Sequence, residues 1–434
     1  MRSSAFRRPV ATVLAACALT ASAVFAAVPV ASAQPACPNE VSPPPAVDTS
    51  EQVPPGQQAP QPLEVPETPV GGERLGECGL VLPPNARPLP DSITAASWLL
   101  ADMDSGAVLA ANNPHGRQRP ASVIKVLLAM VVAKELSPTS TVTVNAEDAA
   151  QECTCTNLRV GAEYTVEQML QALVMASGND VAHALARRLG GIPSAIRKMN
   201  ALAKELGAMD TRAVTPSGLD APGTSTSAYD VALIFRAALT YPDFAKAVTT
   251  QRIDFPSPDG NGTMPVVNDN RLLTSYQGAL GGKSGFTDDA QHTYVGAAQR
   301  GGKRLVVVLL RGRQQPIRMT DQAARLLDYG FALEPAAAGN PVGRLVEGAP
   351  QAKKKETEPR ATNPTSAAPG QAADAGQDPR NSAMHKAFGN VGGPLTAVAG
   401  LGLVLAFVMY LRARRARAAR ARRAAAATGT SPPA

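Results

Sequence analysis

Histidine is scarce in this chain. His115, His183, His292 and His385 are the only four, and no two stand at an HExxH or related metal-binding spacing. Cysteine is nearly as rare, at five residues, and Cys153-Thr154-Cys155 lacks the partner spacing of a zinc site. No metal and no cofactor is therefore expected. There is no internal repeat, which argues against a stacked-repeat architecture. Acidic residues are missing from both ends: the first 33 residues hold three arginines and no acid, the last 23 seven arginines and no acid. The formal charge of +7 thus comes from the ends, and everything between them carries a net −3. A nucleic-acid partner, which would need basic residues on the folded part itself, is excluded on that ground.

The ends that lack acids have a pattern of their own. Arg2, Arg7 and Arg8 precede an Ala/Val-rich stretch that closes at Ala31-Ser32-Ala33, the layout of a secretory leader over residues 1–33. Near the other end, residues 391–411 read "VGGPLTAVAGLGLVLAFVMYL" without a charge. About 20 such residues cross a bilayer. Arg412, Arg414, Arg415, Arg417, Arg420, Arg422 and Arg423 follow at once, so residues 412–434 read as a cytoplasmic tail and the long N-terminal part as exported. The expected location is the cell membrane, crossed once, with the folded part facing the cell wall.

Residues 34–90 are Pro-rich ("VPPGQQAPQPLEVP") and favour extended, polyproline-like backbone, whereas residues 335–390 hold almost no large apolar side chain and read as a stalk. Export places Cys37, Cys78, Cys153 and Cys155 in an oxidising compartment. Spacing alone fixes no connectivity. Cys37 and Cys78 flank the Pro-rich stretch, and the expectation is a bridge between them that fastens it to the domain. Cys153 and Cys155 either close a small ring or stay reduced.

Residues 91–334 are the periodic, globular stretch. "SWLLADM" and "AVLAANN" predict two strands of a hairpin turned at Asp104-Ser105-Gly106. "YTVEQMLQALVMA" predicts a helix with Thr165 and Gln168 in capping-box positions, and "DVAHALARRLGG" a helix stopped at Gly190-Gly191. "GALGGKSGFT", "HTYVGAAQR" and "KRLVVVLLRG" predict three successive strands, and "DQAARLLDYGF" a closing helix. Two strands, then helices, then three strands and a helix predict an α+β fold with one antiparallel sheet of about five strands.

Three short motifs stand on this frame. Ser122-x-x-Lys125 heads the apolar run "PASVIKVLLAM", Ser177-Gly178-Asn179 separates two predicted helices, and Lys283-Ser284-Gly285 sits on a predicted strand. Alone, Ser122 reads more readily as a helix cap than as a nucleophile. Together the motifs supply a chemistry. One helical turn puts Ser122 and Lys125 on the same face, and a Lys that is buried beside a second cation such as Lys283 is neutral enough to take the hydroxyl proton. Ser177 can relay a proton to a leaving amine, and the Asn179 amide can hydrogen-bond a peptide backbone.

These motifs, with "DSGAVLAANN", "RPASVIK", "TPSGLDAPGTSTSAYDVA" and "GGKSGFTDDA", resemble the serine-type D-alanyl-D-alanine carboxypeptidases, the low-molecular-mass penicillin-binding proteins, and especially their membrane-anchored actinobacterial members. The likeness runs from about Trp98 to Phe331. It implies a penicillin-binding-protein transpeptidase fold and an acyl-enzyme on Ser122 with Lys125 as base. Ser177 and Asn179 would complete the site, and Lys283, Ser284, Gly285 and Thr287 would bind the substrate's terminal carboxylate. The oxyanion hole would be formed by the backbone N–H groups of Ser122 and Phe286. The implied partners are peptidoglycan pentapeptide stems, β-lactam antibiotics as covalent inhibitors, and the cytoplasmic membrane. A β-lactamase shares the motifs, but its Glu-x-x-Leu-Asn loop is missing between Asn179 and Lys283. Endopeptidase cleavage of crosslinks would use the same residues, and a scaffold that binds stems without turnover would not need the full Ser-Lys-Ser set. Two departures stand out: no second β-rich domain follows, and Ser284 stands where Thr is commoner.

Overall fold

The structure is a computed structural model, and it describes residues 37–152, 154–333 and 339–348. The leader, residues 391–411 and the arginine tail lie outside the described residues. Among those described, no helix is long and apolar enough to cross a membrane.

One antiparallel sheet organises the fold. Its strands are β1 (Leu80–Val81), β2 (Ser97–Asp102), β3 (Ala107–Asn112), β8 (Ala279–Thr287), β9 (Gln291–Arg300), β10 (Lys303–Gly312) and β11 (Gly343–Arg344). The order is β1-β3-β2-β10-β9-β8, with β11 also on the outer edge of β3. Two separate ribbons are β4 (Thr141–Thr143) with β5 (Glu163–Thr165) and β6 (Arg252–Pro256) with β7 (Thr263–Val267). The helices are α1 (Lys125–Glu135), α2 (Ala146–Ala149), α3 (Val166–Met175), α4 (Asn179–Arg188), α5 (Ile192–Leu206), α6 (Ala228–Ala238), α7 (Pro242–Thr249), α8 (Leu272–Ser275) and α9 (Met319–Phe331).

The run Leu305 to Leu310 is apolar without alternation because both faces of β10 are covered. Val306, Val308 and Leu310 pack into the larger core with α1 and α6, while Leu305, Val307 and Leu309 join Leu326 and Leu327 of α9 on the other face. Helix α1 is buried from Lys125 to Val132, the mark of a central helix apolar all round. Any charge at its first residue therefore starts out deep in a poorly polarisable medium. The turns are as read from sequence. The carboxylate of Asp102 accepts from the amides of Asp104 and Ser105 before Gly106, and Gly301 and Gly302, at φ 57° and 81°, close the β9–β10 hairpin. Thr165 and Gln168 form the capping box at the start of α3.

The expected sheet of about five strands is one of seven, and both additions come from segments read as non-globular. Strand β1 lies within the Pro-rich stretch 34–90 and β11 beyond the boundary placed at residue 334. Each has only two residues, too few to show a period in sequence. The Pro-rich stretch is a strap packed on the domain, with Val70, Leu75 and Val81 in the core. Its disulfide joins Cys37 and Cys78 with Cα atoms 5.2 Å apart. Cys155 is disulfide-bonded as well; Cys153 lies outside the described residues.

A buried arginine fastens the strap. Arg117, 1% exposed, donates to the carbonyls of Val41 (2.6 Å), Leu63 (2.7 Å) and Glu64 (2.9 Å), and its Nε donates to Asp210 (3.1 Å). These donors satisfy carbonyls that a proline-rich backbone cannot pair in a ladder. His115 links the same carboxylate (Nδ1 to Oδ2, 2.8 Å) to the Val70 carbonyl (Nε2, 2.9 Å). Burial disfavours the charged ring, but the hydrogen bond and charge of Asp210 outweigh it and raise the His115 pKa.

Removing one partner of a buried ion pair costs about 3–5 kcal/mol. Arg117→Ala should lower stability by about that much and open residues 41–64 to proteolysis. Denaturant unfolding with limited proteolysis checks it; an unchanged midpoint and cleavage pattern would mean the strap is held elsewhere.

Candidate active site

The Ser122 loop is fixed from both sides. Thr293 of β9 donates to the Pro120 carbonyl at 2.9 Å, and Ala121 takes φ 47°, a left-handed conformation unusual for a residue with a side chain. Gly218, at φ 86°, lies against it so closely that a Cβ there would collide with the Ala121 carbonyl. Ser122 then enters a 3-10 turn, Ala121–Ile124, and α1 begins only at Lys125. The capping alternative fails on this geometry: neither helical segment has a side-chain cap bond. In a 3-10 turn, residues three apart eclipse. Ser122 Oγ accordingly sits 2.7 Å from Lys125 Nζ.

Lys125 Nζ has two further contacts, Asn179 Oδ1 at 2.8 Å and the Ser217 carbonyl at 2.7 Å. Burial first, and then the positive charge of Lys283, push its pKa well below the ordinary lysine value; Asp269 and Asp180 oppose this in part. Both carbonyls accept only, so they claim two amine hydrogens and leave the third direction for Ser122.

Asn179 opens α4 and is itself anchored. Its side-chain amide donates to the Glu152 carbonyl and its backbone amide to the Thr154 carbonyl, each at 2.7 Å. The segment around Cys153 and Cys155, which sequence reasoning left without a role, thus holds Asn179. Ser177, at φ 61° and 5% exposed, forms the sharp turn between α3 and α4. Among the described residues its hydroxyl has no hydrogen-bond partner, and a Cβ on Gly178 would come within 2.7 Å of Asp180 Oδ1.

Strand β8 closes the other side. Gly285 faces the Ser122 loop, where a Cβ would come 2.7 Å from the Ser122 amide nitrogen. Lys283 is buried, donates to the Ser284 carbonyl at 2.7 Å and lies 3.8 Å from Asp269 Oδ2. Burial lowers its pKa, with Asp269 opposing. The other expected carboxylate-binding groups are engaged with acids of the chain: Ser284 Oγ donates to Asp269 (3.0 Å) and Thr287 Oγ1 to Asp220 (2.8 Å). Phe286 follows Gly285 with its ring exposed and 4.6 Å from that of His292.

Sequence reasoning missed Asp269, Asp220 and the Ser217 carbonyl. Asp220 and Ser217 fall inside the quoted "TPSGLDAPG" stretch, but an isolated loop acid and a backbone carbonyl carry no motif. His115, Asp210 and Asp230 converge closely enough to suggest a metal site. Both His115 nitrogens, however, are hydrogen-bonded to acceptors, which leaves no lone pair for a metal.

A sequence pattern describing D-alanyl-D-alanine carboxypeptidases matches residues 85–314, and all three motifs fall within it. The chain belongs to this family. It is 47% identical over 262 residues to the D-alanyl-D-alanine carboxypeptidase DacB2 of Mycobacterium tuberculosis, over 59% of this chain and 89% of that protein. It is 31% identical over 244 residues to DacF of Bacillus subtilis, of whose length it spans 62%. Among solved structures, a D-alanyl-D-alanine carboxypeptidase from Mycobacterium tuberculosis superposes with TM-score 0.58 and 45% identity, over 61% of this chain and 99% of that one. A variant of the Streptomyces K15 DD-transpeptidase gives TM-score 0.53 and 29% identity, over 56% of this chain and 100% of that one. The antiparallel sheet with its helices is the penicillin-binding-protein fold of these carboxypeptidases. Most of the strap, residues 37–84, lies before the matched range.

Only a neutral Lys125 accepts a proton, so acylation of Ser122 should rise with pH through the depressed Lys125 pKa and level off above it. Lys283⁺ helps to hold that pKa down. Lys283→Gln should therefore move the rising limb to higher pH, whatever it does to binding. Rapid-mixing acylation by a fluorescent penicillin across pH reads this directly. A limb that stays in place or moves down would separate Lys283 from the base.

Proposed function

We propose that this protein is a serine-type D-alanyl-D-alanine carboxypeptidase that removes the terminal D-Ala from peptidoglycan pentapeptide stems through an acyl-enzyme on Ser122. The observation that carries this reading is the Lys125 amine, 2.7 Å from Ser122 Oγ with its other two directions taken by Asn179 Oδ1 and the Ser217 carbonyl. A neutral amine so held donates its two hydrogens to those acceptors and turns its lone pair to the Ser122 hydroxyl.

The steps follow from that lone pair. Lys125 takes the proton as Ser122 Oγ attacks the carbonyl carbon of the penultimate D-Ala. The amides of Ser122 and Phe286 receive the oxyanion, in the space kept by the missing side chain of Gly285. Collapse breaks the C–N bond, and Ser177 passes a proton to the leaving amine. Water then hydrolyses the ester on Ser122 and restores the hydroxyl. Lys283 attracts the terminal carboxylate, joined by Ser284 and Thr287 once their hydroxyls turn from Asp269 and Asp220. A β-lactam, whose strained amide enters the same first step, acylates Ser122 and inhibits.

The same reading includes the ends of the chain. Residues 1–33 are removed on export, residues 335–390 include the stalk, residues 391–411 span the membrane once, and residues 412–434 stay in the cytoplasm.

Ser122→Ala should fold yet lose both labelling by fluorescent penicillin and D-Ala release from a pentapeptide, measured by mass spectrometry. Lys125→Ala should lose about 10²-fold or more in acylation, the usual contribution of a positioned base. Labelling that survives in folded Ser122→Ala would overturn the mechanism, and labelling of wild type without D-Ala release would turn the reading toward a scaffold. For the topology, protease added to intact cells stripped of their wall should remove the folded part and spare the arginine tail. A protected folded part would sink it.

A further inference from the structure

The first turn of α4 carries a buried acid beside Asn179. Asp180 is 1% exposed and, among the described residues, accepts only from backbone N–H groups. Its Oδ1 takes the Val181 amide at 2.9 Å and its Oδ2 the Leu158 amide at 3.1 Å. The Thr156 amide is shared between the two oxygens, at 3.1 Å and 3.0 Å. Thr156 and Leu158 belong to the segment whose Glu152 and Thr154 carbonyls hold Asn179. Four alternate residues, 152, 154, 156 and 158, thus turn backbone groups toward α4, with carbonyls on Asn179 and amides on Asp180.

The chemistry of the clasp calls for a carboxylate. A carboxamide of the same shape has one acceptor oxygen and would set an NH2 group against the remaining N–H donors. The charge, however, works against the base. Burial is the largest influence on the Lys125 pKa, and Lys283 of β8 lowers it further, whereas Asp269, just before α8, and Asp180 raise it. His183, the next ionisable residue of α4, is taken by Asp148 at 2.7 Å. An acid that favours the protonated form of a lysine needed in its neutral form does not serve the site through its charge. Its contribution lies in where it holds the backbone.

The fit around the carboxylate leaves no slack. A Cβ on Gly178 would come 2.5 Å from Thr156 Oγ1 and 2.7 Å from Asp180 Oδ1.

We propose that Asp180 is a positioning residue for the Ser122–Lys125 pair. By clasping the amides of Thr156 and Leu158 it keeps the carbonyls of Glu152 and Thr154 on Asn179, whose Oδ1 aims the Lys125 amine. The inference rests on the acyl-enzyme reading and extends it to a side chain that acts on Lys125 through Asn179.

The test is acylation of the full chain by a fluorescent penicillin, measured by rapid mixing across pH, with thermal unfolding in parallel. Asp180→Asn loses both the clasp and the charge. Its plateau rate should fall about 10²-fold, the scale for a reacting group displaced by about 1 Å. Its rising limb should move to lower pH, because removing a negative charge favours the neutral amine. Gly178→Ala keeps every charge while its Cβ displaces the Asp180 and Thr156 oxygens. Its plateau should fall with the limb where it is in wild type. Hydrogen exchange of the wild type needs no variant: the amides of Thr156 and Leu158 should be protected, and exchange there at the rate of a free chain overturns the clasp. A folded Asp180→Asn chain with the wild-type plateau and limb overturns the proposal, even where its unfolding midpoint drops, since that is a structural role only. A wild type that takes no label overturns the Ser122 reading, and this inference with it.

Discussion

A lysine amine buried at the first residue of an apolar central helix is expensive to keep charged, and much of the arrangement around it serves to keep it neutral and aimed. Moving an ammonium into such surroundings disfavours the protonated form by several kcal/mol, and Lys283 adds repulsion from across the cleft. Neutralisation alone would leave the amine free to rotate. Asn179 Oδ1 and the Ser217 carbonyl remove that freedom. Each of these partners requires a backbone that is not regular. Asn179 depends on the left-handed turn at Ser177, and the Ser217 carbonyl belongs to the loop that presses Gly218 against Ala121. Strained positions at 121 and 177 therefore occur where the side-chain geometry needs them, as at other functional sites.

The acids Asp269 and Asp220 give the other half of the site a different character. They hold the hydroxyls of Ser284 and Thr287 by single hydrogen bonds, near a buried lysine. Under the proposed function, an incoming carboxylate would have to compete with carboxylates already belonging to the chain. Binding there would exchange one acceptor for another, with the difference set by how well the newcomer fits Lys283. A neutral acceptor would replace the hydrogen bonds but not the charge.

Legibility in sequence followed length and periodicity. Strands β2, β3, β8, β9 and β10 and helices α3, α4 and α9 run six residues or more with turn or cap residues at their ends, and all were readable. So was the pairing of Ser122 with Lys125, because a spacing of three is a local matter. The two-residue strands β1 and β11 were not, since Leu80–Val81 and Gly343–Arg344 have no period to detect. The strap looked loose because proline suppresses ladder hydrogen bonds. Its carbonyls are instead paired by Arg117, a residue 54 positions away from Leu63 in the chain. The Ser217 carbonyl, Asp220 and Asp269 were invisible for a related reason: their importance comes from what the fold brings next to them.

The placement of β1 and β11 bears on the free edges of the sheet. Strand β8, with Lys283 and Gly285, is one edge, and β1 and β11 both pair at the opposite edge with β3. Four strand-to-strand steps separate β8 from β3, about 19 Å at the usual spacing. Between them the two short strands cover the outer side of β3 at Ala107, Val108, Ala111 and Asn112, so the edge remote from the cleft presents no long open ladder for a strand of another molecule to join.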